Sequence, residues 1–577
     1  MAAYPRWEVV AGRNELVRAE VTRNPSREDQ GAMREDELSR IDEEARRRGM
    51  SREELLKRAA VAGLVLTGSG GLAQVARAGV AAAAAAPKRG GTFRVGVAGG
   101  SSSDIIDGQD IVTNPDQARL MAGFETLVTF DKNFKLAFDG LAEEVSPNKA
   151  GNVWTIRVRP GIEFHNGKTL SADDVIFSLR RLVNPKLKLF GGSALSSVNP
   201  NALKKMDSRT VRMTLKNPDG TILDALGQYV AGIVPVGYSP NAIGKANPNV
   251  GTGPYKLKSF TPGQQSVHDR NPNYWRHGQP YFDQVVIIDF PDDTARVNAL
   301  LGGQVDAISN IPPAQVAVVN GHSGTKVLES PTAQWTPICM RVDTAPFNDV
   351  RVRQAMRLIA DREQMVQQGL AGHGHVGNDL YAPFDEAYDH ALPQRKQDIA
   401  QAKSLLKAAG QDNLTVDLQS TNGALGMNEG AQVFAQQAKA AGVTINVKIL
   451  DSGAFYGSQY LKWPMSTDFW GTRNYLSQVA AGSLPTSPYN ETHWPDTADN
   501  KFLTLYKEAL RTVDRKKRFA IEHEMMQLEY DHGGYIVWGF SNFLDGYSSK
   551  VQGLIQGWKG VMQLNNFGNG YRTFWFG

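Results

Sequence analysis

At 577 residues the chain has material for more than one hydrophobic core. Hydrophobic residues at 41% and charged residues at 21% fit a soluble globular protein and exclude a mostly disordered chain or a polytopic membrane protein. The net charge of +4 is too small to argue for a nucleic-acid partner, and a single cysteine, Cys339, excludes a disulfide framework, a zinc finger and a CxxC redox pair.

The first 58 residues hold 13 basic and 13 acidic side chains with hardly any apolar periodicity. The pairs Asp42/Arg46, Glu43/Arg47 and Glu44/Arg48 allow a short solvated helix in what otherwise reads as a charged leader. Residues 59–76 then carry no charge and directly follow Lys57 and Arg58. A basic edge, a short apolar run and small residues after it make the three-part pattern of a secretory signal, with Ala76-Arg77-Ala78 and the run Ala81–Ala86 as cleavage sites. The apolar part is interrupted by Gly68, Gly70 and Gly71 and is short for a membrane anchor. Ser51–Lys57 (SREELLK) resembles the twin-arginine export motif, departing at Glu53 and Leu55, so the Tat and Sec routes both stay open. No cysteine lies near the cleavage sites. The expectation is an exported protein, periplasmic or on the extracellular face of the cytoplasmic membrane, and not a lipoprotein.

Three motifs imitate catalytic signatures. Gly68–Ala73 (GSGGLA) fits the dinucleotide fingerprint but lies in the export signal, with no acid about 20 positions later. Gly161–Thr169 resembles a phosphate-binding loop with five residues between its glycines instead of four. His523-Glu524 opens like HExxH, but Gln527 stands where the second histidine belongs. There is no GxSxG elbow. No catalytic constellation emerges.

From Gly91 onward strands and helices alternate. Strands are predicted at Thr92–Val97, at Val153–Val158, at Thr210–Leu215 with Val211, Met213 and Leu215 on one face, and at Val443–Ile449 by strict alternation. Ser171 caps a helix with Asp174 at its third position and Val175, Ile176, Leu179 and Leu182 as its apolar side. Val350–Arg362 is predicted as one helix with Ala355, Met356, Ile359 and Ala360 buried, and Ala400–Ala409 as another that stops at Gly410. No repeat and no low-complexity tract follows residue 90. The mixture predicts an α/β protein with more than one lobe.

These segments resemble the extracytoplasmic solute-binding proteins of ABC importers, family 5, which handle oligopeptides, dipeptides and nickel. The most specific stretch is Ile156–Val175 (IRVRPGIEFHNGKTLSADDV), close to the family pattern LRxGVKFHDGxPLTAxDV. Around it stand Phe124–Val128 (FETLV), Leu141–Glu144 (LAEE), Gly251–Tyr255 (GTGPY), Asn273–Trp275 (NYW), Ala299–Asp306 (ALLGGQVD), and Pro346–Ala355 (PFNDVRVRQA) with Asp361-Arg362. The resemblance runs from about 90 to about 555 and turns the false phosphate loop into a strand, a turn at Asn166-Gly167 and a capped helix. It implies a two-lobed periplasmic-binding-protein-like fold of type II, in the large class with an extra subdomain on lobe 1. The implied division is leader and signal at 1–86, lobe 1 at 87–125, subdomain at 126–205, lobe 1 again at 206–335, lobe 2 at 336–540, and a lobe 1 return at 541–577. The chain would cross a hinge near 334–341 and come back near 540. Solute, a peptide or similar small polar organic molecule, would lie between lobes that close around it and dock on membrane permease subunits. No cofactor, no chemistry on the solute and no nucleic acid are implied.

Peptide-binding members carry Gly-Trp-x-x-Asp, whose Asp anchors the peptide amino terminus. An ungapped match from Asp468 places Asn474 at the Trp and Ser477 at the Asp, so the anchoring carboxylate is absent. The segment Trp470–Tyr475 (WGTRNY) is the expected ligand-facing loop and includes Asn474. Arg473 suits a carboxylate or phosphate in a bidentate fork, and Trp470 and Tyr475 suit stacking on a sugar or aromatic group. The same residues read equally as a surface charge and core aromatics. Phe455 and Tyr456 match an aromatic wall of relatives, and Ser101 and Ser102 fall in the first lobe 1 loop facing the cleft. Cys339 is expected to be a buried small hydrophobe near the crossing. His373 and His375 invite a nickel reading, but two histidines at i,i+2 in a Gly-rich loop are commonly exposed, and no metal site is assigned. Two other readings compete. One is a secreted hydrolase such as a glycosidase, which needs paired acids that no signature supplies. The other is a solute sensor without transport.

Overall fold

The computed structural model describes residues 86–577 except 112, 241–249, 496–499, 561–562 and 565–570. Residues Pro87–Gly577 form one compact unit. The charged leader, the export signal and the GSGGLA motif lie outside the described residues.

A large sheet forms the first lobe. Its strands run in the order Thr325–Trp335, Gly539–Ser548, Ala307–Ile308, Thr92–Ala98, Gln284–Phe290, Gln265–Arg270, Tyr255–Thr261, with Gly374–Val376 added beside Gly539–Ser548. Thr92–Ala98 is central and parallel to both its neighbours, and the helices Asn114–Gly123 and Asp293–Leu301 both pack against it. Coverage by helices explains why Phe93, Val95 and Val97 are wholly buried and why the end of the strand is apolar on both faces. A Cβ at Gly96 would sit 2.9 Å from the Phe290 ring, so a larger residue there would force that ring to shift.

A second sheet of four antiparallel strands runs Ala142–Pro147, Val153–Val158, Thr210–Leu215, Val198–Lys205. Its single buried face produces the period-two pattern of Val153–Val158 and Thr210–Leu215, whose observed limits match the expected ones. The expected subdomain limit at 205 is corrected here. Thr210–Leu215 pairs with Val153–Val158 in the middle of this sheet, so the unit continues at least to Leu215. Glu163 and Thr169 close a small hairpin around the Asn166-Gly167 turn, with Gly167 at φ +82°. Helix Ala172–Leu182 follows, and the Asp174 carboxylate accepts from Ser171 N at 3.0 Å and from Ser171 Oγ at 2.7 Å. The phosphate-loop look-alike is therefore a hairpin and a capped helix.

The second lobe holds five strands in the order Thr444–Leu450, Thr415–Thr421, Met465–Thr467, Ile338–Met340, Tyr535–Ile536. The first two are parallel and are connected through helix Met427–Ala438, a unit whose core includes Leu418, Phe434 and Ile445. The predicted helix 350–362 is two helices, Val350–Ile359 and Arg362–Gly369. Ala360 is extended, and the Asp361 carboxylate accepts from Gln364 N at 3.0 Å, so Asp361 starts a new helix instead of ending the old one. Ile399–Ala408 ends before Gly410, which has φ +70°.

The chain passes between lobes at two adjacent places. Thr325–Trp335 pairs with Gly539–Ser548 in the first lobe, while Ile338–Met340 pairs with Tyr535–Ile536 in the second. Residues 336–337 and 537–538 are the connections. Trp538 Nε1 donates to Thr336 O at 2.7 Å and so binds one connection to the other.

Candidate functional site

The segment after Met465–Thr467 lies beside these connections. Trp335 N donates to Trp470 O at 3.0 Å and Trp470 N returns a bond to Trp335 O at 2.9 Å. The Trp470 ring stacks near Trp335, with centroids 6.4 Å apart, and takes the edge of Tyr489 at 6.0 Å. Arg473 places its guanidinium carbon 5.1 Å from the Trp470 ring centroid. Among the described residues no carboxylate forms an ion pair with it; its electrostatic neighbours are Tyr229, Tyr489 and Glu491. Burial pulls the Arg473 pKa down, and the same desolvation pushes the Tyr229 phenol up to about 12. Tyr229 comes from the chain just after helix Ile222–Gly227, so a half-buried cation faces residues of both lobes with no ion-paired carboxylate among the described residues.

Asn474 and Tyr475 are tied down. Asn474 Nδ2 donates to Asp224 Oδ1 at 2.8 Å, leaving its Oδ1 buried without a donor. Tyr475 N donates to Asp385 Oδ2 at 2.7 Å. The Tyr475 hydroxyl donates to Glu529 Oε2 at 2.7 Å, and Tyr381 donates to the other oxygen at 2.7 Å. Burial lifts Glu529 to about 7 even against these two donors. Tyr475 is wholly buried, and so is Phe455. Phe455 was expected at the solute and Tyr475 either at the solute or in the core; the structure places both rings in the core.

Tyr456 is half-buried, stacked edge-on with Tyr460 at 5.0 Å, and its hydroxyl has no partner. Tyr460 donates to Asp468 Oδ2 at 2.9 Å, which brings the turn after the short helix Ser452–Phe455 against the start of the Trp470 segment. Asp468 and Glu491 are neighbouring buried carboxyls. Burial lifts Asp468 to about 6 and Glu491 well above the carboxylate range, where the Asp468 charge adds to the effect. Tyr535 donates to Glu491, so both acids are occupied by tyrosine hydroxyls.

Ser101 and Ser102 are not brought to this place. Ser101 Oγ bonds Ser103 Oγ at 2.9 Å, and the turn rests against Gly263 between two strands of the large sheet. His373 Nδ1 lies 3.3 Å from Glu329, whereas His375 is stacked between Phe384 and Phe540. No group of three metal-binding side chains exists among the described residues. Cys339 is 1% exposed on an inner strand of the second-lobe sheet, and burial pushes its thiol pKa well up. His523 and Glu524 lie on helix Arg515–His532, with Glu524 paired to Lys501. A polar cavity of about 760 Å³ lies elsewhere, between Glu143, Arg159, Glu163, Asn273, Trp275 and His277.

Residues 139–490 match the family model for bacterial extracellular solute-binding proteins, family 5. The chain belongs to this family. It is 24% identical over 480 residues to the glutathione-binding protein GsiB of Pectobacterium atrosepticum (strain SCRI 1043), covering 79% of this chain and 90% of that one. It is 26% identical over 475 residues to the oligopeptide-binding protein AppA of Bacillus subtilis (strain 168), covering 76% and 84%. In fold it is similar to the PBP AgaA from A. tumefacien R10, solved with agropinic acid, at TM-score 0.67 and 22% identity over 84% of this chain and 99% of that one. This family 5 protein is an exported substrate-binding component of an ABC importer, with permease subunits as its membrane partners and a small solute as its cargo. Among the described residues no helix is long and apolar enough to cross a membrane.

Proposed function

We propose that the protein captures a small organic solute bearing an anionic group, of the peptide or organic-acid kind, and hands it unchanged to the permease. The supporting observation is Arg473, a half-buried guanidinium stacked on Trp470 and close to Tyr229, which forms no ion pair with a carboxylate among the described residues. A carboxylate on the solute supplies the missing charge through a planar fork, and the neighbouring rings supply apolar area. Glutathione, oligopeptides and agropinic acid, named for the relatives, all contain carboxylates. Ser477, at the position matched to the amine-anchoring Asp, carries no charge, so the free amine is not the principal handle. Phe455 and Tyr475 act from below, while Trp470, Arg473, Asn474 and Tyr456 face the solute. Residues 336–337 and 537–538 serve as the hinge. The protein works at the outer face of the cytoplasmic membrane, free of a lipid anchor, since its one cysteine is the buried Cys339.

Arg473→Gln is expected to weaken solute binding about tenfold to a hundredfold, the range for losing a charge-assisted hydrogen bond. Arg473→Lys, which keeps the charge but loses the fork, should fall between. Titration calorimetry with a solute that binds the wild type checks both. Unchanged affinity in Arg473→Gln contradicts the assignment.

A further inference from the structure

Asn474 is held from across the molecule. Its partner Asp224 belongs to helix Ile222–Gly227, and Ile222, Ala225 and Leu226 are part of the core under the four-stranded sheet. Tyr475 and Leu476, by contrast, are in the core of the second lobe. Other contacts join the same two bodies. Gly220 N donates to Leu510 O at 3.0 Å, and Gly151 lies against Val513.

The junction concentrates acids. Asp224 faces Asp385 and Asp219, with Arg518 as the cation beside it. Glu522 faces Asp385, Asp224 and Arg518, whose Nε donates to Glu522 Oε1 at 3.2 Å. Asp385 accepts from Tyr475 N and Ala387 N and feels Arg518 and Arg515. Asp219 is satisfied by Ser197 and Thr221, while Arg515 and Lys135 pair with Glu386 on the rim. Three carboxyls from three separate chain segments therefore meet around one arginine where the bodies touch.

We propose that Asp224 is a positioning residue for solute capture: it holds Asn474, and with it the Arg473 segment, in a junction that forms with uptake of protons. The capture role rests on the solute-binding reading, whereas the proton dependence of the junction does not. Burial pushes Asp224 up to about 7 and Glu522 up to about 8, with the charge of Asp385 the next contribution in both. With the junction apart these carboxyls are hydrated and titrate near the ordinary values of about 4. Joining is therefore fully favoured below that range and weakens as pH rises through 7 and 8.

Two spin labels test this without any solute. In the full chain, Met206 and Ile449 are exposed, one beside the four-stranded sheet and one on the second-lobe sheet. Met206→Cys and Ile449→Cys accept labels while the buried Cys339 does not. Pulsed electron resonance should show the longer-distance population growing about tenfold or more between pH 5.5 and 8.5. Asp224→Asn with Glu522→Gln should abolish that growth; Asp224→Asn keeps Oδ1 as an acceptor for Asn474. If the double variant does not fold, Glu522→Gln alone must still reduce the growth. Equal distributions at the two pH values, or growth undiminished by the substitutions, overturns the proposal. Failure here with solute binding still dependent on Arg473 refutes the latch and leaves the binding reading standing.

Discussion

Arg119 shows how one side chain organises the first lobe. It is wholly buried and pairs with Asp104 at 3.1 Å, Asp116 at 3.0 Å and Asp289, while the Phe260 ring lies 4.7 Å from its guanidinium carbon. The loop containing Ser101 and Ser102 leads directly into Asp104, so this arginine anchors the end of the loop. Arg119→Met leaves three buried carboxyls without their cation and should cost about 3–5 kcal/mol of stability near pH 7. Urea unfolding measures this, and the loss should shrink at pH 4, where the carboxyls can protonate. The marker Pro346–Ala355 with Asp361-Arg362 is likewise structural. Arg353 donates to His532 O and Phe347 O, Arg357 to three backbone carbonyls, and Arg362 grips Asp379 with two bonds of 2.7 Å. The motif is visible in the sequence, but its purpose is visible only once distant partners are in place, such as the carbonyls of residues 529–535 that Arg353 and the nearby Arg357 bind 172 to 179 positions away.

At the scale of elements, legibility followed how many faces a segment buries. Val153–Val158 and Thr210–Leu215 bury one face and announce themselves by alternation. The helix break at Ala360 was hidden because the apolar stripe runs on through Ala360, while the decisive residue, Asp361, is polar and caps from outside the stripe. The sequence leaves Tyr475 open between site and core and reads Phe455 as a site aromatic, since a ring gives no sign of which side it faces. Asp224 was illegible altogether, lying 250 positions from Asn474. Helix Met427–Ala438 offers a test of packing at the connections. A Cβ at Gly430 would lie 2.7 Å from the Trp538 ring, whereas Gly321, at the end of helix Val316–Gly321, faces open space. Gly430→Ala should destabilise by about 1–3 kcal/mol through overpacking against a ring held by Thr336. Gly321→Ala should be neutral or stabilise by up to about 1 kcal/mol. Thermal unfolding of the two variants, compared side by side, separates steric cost from helix propensity.

The whole molecule joins its lobes through two short connections bound to each other by Trp538, with the Trp470 segment bonded to Trp335 just before one of them. A solute that contacts Arg473 on one side and Tyr229 on the other favours the joined arrangement by its extra contacts there and by nothing else. The most direct measurement is therefore a thermal-shift panel on the wild type and Arg473→Gln. It spans di- and tripeptides, glutathione, sugar–amino-acid conjugates and organic acids, together with uncharged sugars and amidated peptides. At least one carboxylate-bearing solute should stabilise the wild type, its amidated or uncharged counterpart should not, and Arg473→Gln should lose the effect. Stabilisation by uncharged solutes alone, or an equal shift in Arg473→Gln, would contradict the account.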